Sequence, residues 1–252
     1  MSFPVHIRSS IAGGVARLVI DRPETCNALG TDMLRALIAA LDDIAASTAR
    51  VVVLESRGTT FCAGFDLSEL EAGDAAAHRE AFRLFNRFAR RLQKIPQPVI
   101  ARVQGLATAG GCQIVAMCDL AVASADARFA TSSIGLGLFG AAPAVGLSRN
   151  LGRKAAFEML FGGESVGAAE ALRLGLLNRV VPASELDAAV AALASHIGSQ
   201  PAAAVRAGKQ FFVRQLEMGV DAAHQLAAEV MADNLQDEEA QRRIREFLAR
   251  KE

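Results

Sequence analysis

The chain lacks any excess of charge: 27 basic residues balance 27 acidic ones, and no basic run stands out. Nucleic acid is therefore not an expected partner. No uninterrupted apolar span approaches the ~20 residues that a bilayer-crossing helix needs, so no membrane segment is expected either. The first residues, Met1 to His6, have neither a basic stretch nor a long apolar one, and no secretory leader is expected there. Cysteines 26, 62, 112 and 118 show no CxxC spacing, and no metal is expected. In so apolar a chain they read as free thiols of a reducing, cytoplasmic compartment. Neither His nor Lys lies near Cys62 or Cys112 in sequence to lower a thiol pKa, so both read as core-filling residues and not as nucleophiles. Neither GxSxG nor HExxH occurs, and Gly105–Gly110 is not GxGxxG. Serine-hydrolase elbow, zinc-protease and dinucleotide-binding readings have no support.

What is present suits one sizeable core with a helical region appended. Of 252 residues, 52% are hydrophobic and 21% charged. Strands and helices alternate, an α/β pattern. A hairpin is predicted over 10–21, turning at Gly13-Gly14. Thr31-Asp32 is expected to cap a helix whose Leu34, Leu37, Ile38, Leu41 and Ile44 share a face. A strand over 50–54 follows, then an acidic loop at 69–74. A helix carrying Phe82, Phe85, Phe88, Leu92 and Ile95 ends at Pro96-Gln97-Pro98. A strand over 99–103, a short apolar helix through Met117, strands over 120–123 and 128–130, and helices over 153–161 and 167–174 complete this half, the last stopped by Gly175. After Pro182 only helices are predicted, at 184–198, 201–217, 220–232 and 236–250, with Ser184 as a cap and Pro201 in an N1-like position. Their Ala-rich faces hold more apolar surface than one small domain can bury, which points to a subunit interface.

Two glycine-bearing stretches carry the chemistry: Phe61-Cys62-Ala63-Gly64-Phe65-Asp66-Leu67 and Gly105-Leu106-Ala107-Thr108-Ala109-Gly110-Gly111-Cys112-Gln113. Each follows a predicted strand. A strand that runs out into Gly-rich backbone leaves amide N–H groups unpaired and open. Two such turns meeting at one point make a site for a polarised carbonyl oxygen.

With Asp21-Arg22-Pro23…Asn27-Ala28-Leu29 before them and Gly175 to Pro182 after them, these stretches resemble the enoyl-CoA hydratase/isomerase (crotonase) superfamily over almost the whole chain. The resemblance implies a spiral of ββα units over residues 1–182, holding an acyl-CoA site, and a C-terminal helical region over 183–252 that packs in a trimer or a dimer of trimers. It implies that the N–H groups of Phe65 and Gly110 hold an acyl-CoA thioester oxygen. Coenzyme A enters as part of the substrate, with no separate cofactor. It further implies that CoA threads between Cys26–Ala28, Ala63–Ser68 (Ala63, Gly64, Asp66, Leu67 and Ser68 among them) and Leu106–Gly110, including Ala109, with Gly111 and Gly137 completing the substrate-binding set.

Hydration of an enoyl thioester also needs groups that move protons, and in well-known hydratases two glutamates do so. Here those positions fall on Gln113 and Ser133, neither of which titrates near neutral pH. From Ala127 to Phe157 there is no Asp, Glu or His at all. Ala109–Gln113, Gly135–Phe139, Leu147–Asn150 and Ala155–Leu160 resemble the enoyl-CoA hydratase domain-containing subgroup, which likewise lacks both glutamates. Substitute acids are offered by Asp66, Glu69, His78 and Glu80, although Asp66 reads better as a turn-holding carboxylate and His78 as a solvated residue. Cys26 and Ser68 are uncharged where many relatives place a lysine for the phosphates. Arg22, Lys209 and Arg214 are possible replacements, each read first as a solvated surface cation.

Overall fold

A computed structural model describes residues 6–250; the leader reading made on Met1 to His6 lies outside these residues except for His6. Strands β1 (Ile7–Ala12) and β2 (Val15–Ile20) form the predicted hairpin around Gly13-Gly14. Helix α1 (Thr31–Ala45) buries Leu34, Leu37, Ile38, Leu41 and Ile44, as the spacing predicts. Three strand pairs follow: β3 (Val51–Ser56) with β4 (Thr60–Cys62), β5 (Val99–Val103) with β6 (Leu106–Thr108), and β7 (Leu120–Ser124) with β8 (Arg128–Ala130). After the first pair come α2 (Leu67–Ala72) and α3 (Ala75–Lys94), after the second α4 (Gly110–Met117). A 3-10 turn (Ser132–Leu136) and α5 (Ala141–Asn150) follow the third pair.

Each pair divides between two sheets. β3, β5 and β7 join a six-stranded sheet in the order β1-β2-β3-β5-β7-β10, with β10 (Arg179–Val181) at its far edge. β4, β6 and β8 line up in a four-stranded sheet closed by β9 (Val166–Gly167). Apart from the β1–β2 hairpin and the β8–β9 edge, all pairings are parallel. The ββα unit thus repeats with one strand in each sheet, the spiral the resemblance implies. Buried on both faces, β3 reads as an unbroken Val-Val-Val-Leu run, not as an alternating one. One face meets α1, α3 and α4; the other is covered by α8 (Leu186–Gly198), whose Leu186, Val190, Leu193 and Ala194 pack on Val51, Val53, Ile100 and Val122. Between α5 and β10 lie α6 (Arg153–Gly162) and α7 (Ala168–Leu174), the latter stopped by Gly175 in the left-handed conformation.

Several local expectations change. Of the acidic loop predicted over 69–74, residues 69–72 lie instead in α2, because the Asp66 carboxylate caps that helix through the N–H groups of Ser68 and Glu69. Helix α1 is not capped by its own Thr31: Gly30 is the cap residue, and the Glu69 carboxylate accepts the Thr31 N–H at 3.0 Å from 38 residues away. Ser184 caps nothing; it sits in a 3-10 turn, and α8 starts after Glu185 without a side-chain cap. The remaining tail helices are α9 (Ala202–Gln215), α10 (Val220–Leu235) and α11 (Glu238–Ala249). In these three helices Lys209 is the one buried residue. Phe212, Leu216, Val220, Met231, Leu235, Phe247 and Leu248 are exposed.

Candidate functional site

The two turns meet. Gly64, at φ 93°, lies so close to the second turn that a Cβ there would stand 2.9 Å from the Ala109 Cβ and 3.0 Å from the Gly110 nitrogen. The first turn is stitched to residues 26–29: Ala63 N–H donates to Cys26 O at 3.0 Å, Leu29 N–H to Gly64 O at 2.7 Å, and Asp66 N–H to Leu29 O at 3.1 Å. Phe65, between these donors, finds no acceptor among the described residues, and neither does the Gly110 N–H. The Cys26–Ala28, Ala63–Phe65 and Ala109–Gly110 segments therefore lie together. Leu67, Ser68 and Leu106 are exposed nearby in sequence. Gly137 ends the 3-10 turn in the left-handed conformation with open space around it, and its backbone conformation alone accounts for a glycine there.

The second turn carries backbone strain. Ala109, the residue before α4, sits at φ 49° and ψ −117°, a region L-residues rarely occupy. Its own N–H is anchored to Ala130 O at 3.0 Å, and its carbonyl accepts the first helical bond, from Gln113 N–H, at 3.2 Å. Such strain persists only where neighbouring structure holds it, and it is concentrated at functional sites. The result is that the first N–H of α4 points out of the helix start, where aligned peptide dipoles favour negative charge. The glycine at 111 has a steric cause: a Cβ there would fall 2.1 Å from the Cys62 carbonyl oxygen.

The side chains around the turns are mostly apolar. The Phe65 ring, half-buried, packs edge-on against Phe82 at 5.0 Å and tilted on Phe85 at 4.8 Å. Gly110 faces the same Phe85 ring. Gln113 is buried, and its Oε1 has no hydrogen-bond partner; the same holds for the Ser133 hydroxyl. Gln113 is thus not engaged with neighbouring backbone. Unpartnered buried polar atoms are uncommon, because each costs ~1–3 kcal/mol.

The acids offered as substitutes are all committed elsewhere. Asp66 pairs with Arg22 at 2.9 Å and caps α2. Glu69 caps α1. Glu80 faces Arg35 at 3.5 Å. His78 is not a solvated residue: half-buried, its Nε2 lies 2.7 Å from Leu70 O. Lys209 likewise departs from expectation. Far from being a surface cation, it is buried and donates to Leu92 O, Gln97 O and Asp119, the last at 2.6 Å. Burial pushes the Asp119 carboxyl up and the Lys209 ammonium down, and their pairing opposes both shifts. Arg22 is occupied by Asp66, whereas Arg214 is exposed.

The thiols at 62 and 112 are fully buried, and burial pushes each up to about 12, so neither is a thiolate at neutral pH. Cys26 is exposed, in a left-handed turn with Asn27. Asn27 is the residue sequence reasoning passed over. Fully buried, it accepts from Arg22 N–H and donates to Arg57 O and Thr60 O, which fixes residues 22–29 against the start of β4. The available sign was its place in the Asp21–Leu29 stretch, a polar residue suited to positive φ. Among the described residues no group of metal-ligating side chains gathers, and no helix is long and apolar enough to cross a membrane.

Known proteins share both the sequence pattern and the fold. The enoyl-CoA hydratase/isomerase family profile matches residues 10–252. Enoyl-CoA hydratase domain-containing protein 3, mitochondrial, from Mus musculus is 39% identical over 240 residues, covering 94% of this chain and 80% of that protein. Short-chain-enoyl-CoA hydratase from Clostridium acetobutylicum is 34% identical, covering 95% of this chain and 93% of that protein. The crystal structure of an enoyl-CoA hydratase from Mycobacterium smegmatis superposes with a TM-score of 0.96 at 45% identity, covering 98% of this chain and 97% of that one. The human enoyl-CoA hydratase domain-containing protein 3 superposes with a TM-score of 0.94 at 38% identity, over 97% of this chain and 98% of that one. The chain belongs to the enoyl-CoA hydratase/isomerase (crotonase) family, within its enoyl-CoA hydratase domain-containing subgroup.

Proposed function

We propose that the protein acts on acyl-CoA thioesters, nominally adding water to a 2-enoyl-CoA in fatty-acid metabolism, with the Phe65 and Gly110 N–H groups as an oxyanion hole. The observation that carries this reading is the pair of N–H donors without acceptors on two touching turns. Main-chain donors held by a rigid core need no reorganisation as charge develops on the thioester oxygen, and each is worth ~2.7–4 kcal/mol of transition-state stabilisation. Backbone donation also explains why a bulky Phe is tolerated at 65: its ring packs into α3 and its amide does the work.

Gln113 and Ser133 stand at the positions where the resemblance puts a glutamate pair. Their free oxygens can hold a water or a second carbonyl by hydrogen bonding. They do not move protons at neutral pH, and each missing acid or base forfeits about 100- to 10,000-fold in rate. Hydration is accordingly slow in this reading. The site favours chemistry that needs an enolate or tetrahedral oxyanion stabilised with few titrating groups, such as isomerisation, decarboxylation or thioester hydrolysis. The committed state of Asp66, Glu69 and Glu80 supports this second reading over fast hydration. A non-catalytic acyl-CoA-binding oligomer is the third. The exposed apolar side chains of α9–α11 support assembly as a homotrimer or dimer of trimers, and the free cysteines a cytoplasmic setting.

Purified protein incubated with crotonyl-CoA, followed by loss of the conjugated-thioester absorbance, tests the first reading. Slow or absent turnover in the native chain, together with gain of hydration in Gln113→Glu, is the expected result. Failure of any acyl-CoA to bind at all defeats the proposal.

A further inference from the structure

The outward face of α3 carries a file of cations that the fold itself does not use. Arg83, Arg87, Arg90 and Lys94 recur at steps of four, three and four, one stripe of an α-helix, opposite the face that buries Phe85, Phe88 and Leu92. All four are exposed, over a length of ~16 Å. Among the described residues none of the four forms an ion pair or a side-chain hydrogen bond. The flanking Arg91 is paired with Asp42 at 2.6 Å, and Glu80, the one acid of the helix, faces Arg35. In a chain of zero net charge this helix holds Arg79, Arg83, Arg87, Arg90, Arg91 and Lys94 against Glu80.

An open, shallow depression lies along the stripe, lined by Arg83, Asn86, Arg87, Arg90, Arg91 and Lys94, all from α3, with no carboxylate among them. Like charges one turn apart weaken a helix. The helix dipole compensates this near the C-terminus, at Arg91 and Lys94, but not in mid-helix at Arg83 and Arg87. Arginine forks match phosphate oxygens two at a time, and several unpaired cations in one stripe suit a group with several phosphates better than a single carboxylate. No aromatic side chain lines the depression to stack a base, and no apolar one to enter a bilayer, which disfavours RNA and a lipid surface.

We propose that this face of α3 binds the polyphosphate group of a small molecule, with Arg83, Arg87 and Arg90 as its main anchors. Coenzyme A is one source of that chemistry and a free nucleotide is another. The positions expected to meet CoA phosphates are uncharged at Cys26 and Ser68, and Arg22 and Lys209 are committed to Asp66 and Asp119. The site itself does not depend on the oxyanion reading.

Inorganic tripolyphosphate, titrated into the full chain at low ionic strength, tests this directly against the Arg83→Gln/Arg87→Gln/Arg90→Gln variant. Thermal melting of both proteins checks that the exposed substitutions leave the fold intact. The variant is expected to bind at least ~10-fold more weakly, and the native affinity to drop as ionic strength rises past ~0.1 M, where screening reaches across about 10 Å. Equal affinities, or no binding by the native chain, overturn the proposal, as does binding of RNA or anionic vesicles without tripolyphosphate. Two further arms identify the source. If it is CoA, the triple variant weakens crotonyl-CoA binding and spares the crotonyl thioester of N-acetylcysteamine, which has no phosphates. If it is a free nucleotide, ATP binding falls and crotonyl-CoA binding does not. Tripolyphosphate lacks an acyl group, so its result stands even where the oxyanion reading fails.

Discussion

The two turns at the site present the same kind of donor by different means. In each, the residue just before the donor has a positive φ: Gly64 at 93° precedes Phe65, and Ala109 at 49° precedes Gly110. At the first turn glycine takes that conformation without cost. At the second an alanine takes it under strain, and the glycine comes one place later, in the donor itself. The first turn is tied down from outside, by Cys26 and Leu29. The second is held from within by the start of α4 and from β8 by Ala130. What positive φ achieves in both is to turn the next N–H away from the local backbone acceptors. Two loops far apart in sequence thereby bring N–H groups without acceptors onto touching turns.

The substitution expected to break this arrangement most severely is Gly111→Ala. Its new Cβ would fall 2.1 Å from the Cys62 carbonyl oxygen and 2.9 Å from the Cys62 Cβ, so β4 and α4 have to separate and both turns move at once. Overpacking against backbone costs about 3 kcal/mol or more. Urea unfolding of the variant shows the loss as a lowered midpoint at unchanged slope. A native-like midpoint means the two turns are not locked at this contact.

Gly64→Ala touches only the first turn. Its methyl would meet the Ala109 Cβ at 2.9 Å and Gly110 N at 3.0 Å, and the φ of 93° is strained for any side chain. The strain costs ~1–2 kcal/mol of stability. The greater effect falls on function: a displaced Gly110 donor lowers turnover of whichever acyl-CoA is processed by about 100- to 1,000-fold. Measuring kcat and KM separately decides the point, since a donor used only in the transition state lowers kcat and leaves KM nearly unchanged. A rise in KM alone assigns the turn to binding and not to charge stabilisation.

These turns were legible in the sequence because positive φ and close backbone approach leave glycine as a trace. The helices of the spiral were legible because the α1 and α3 apolar residues recur with helical spacing. What was not legible depends on partners distant in sequence. Residues 69–74 look like an acidic loop until Asp66 caps α2 and Glu69 reaches Thr31 across 38 residues. Lys209 looks like any surface lysine on a helix with an exposed apolar face; Asp119, 90 residues earlier, makes it a buried anchor. Gln113 and Ser133 could be placed in the site by resemblance, but nothing in sequence says that their oxygens lack partners. The strain at Ala109 left no trace either, because alanine is not the residue that a positive φ selects.

That strain is the finest point of contrast between the turns, and Ala109→Gly tests it with the smallest effect. Replacing a strained alanine by glycine releases ~1–3 kcal/mol of backbone energy and adds ~0.5–1 kcal/mol of chain entropy to the unfolded state. The net expectation is a protein about 1 kcal/mol more stable by thermal or urea unfolding. Its Gly110 N–H would then be held less firmly, since glycine also has other backbone basins open to it at 109. Turnover should fall only a few-fold while stability rises. A variant less stable than the native chain means that the geometry at 109 carries no strain and that the second turn, like the first, is held only by its neighbours.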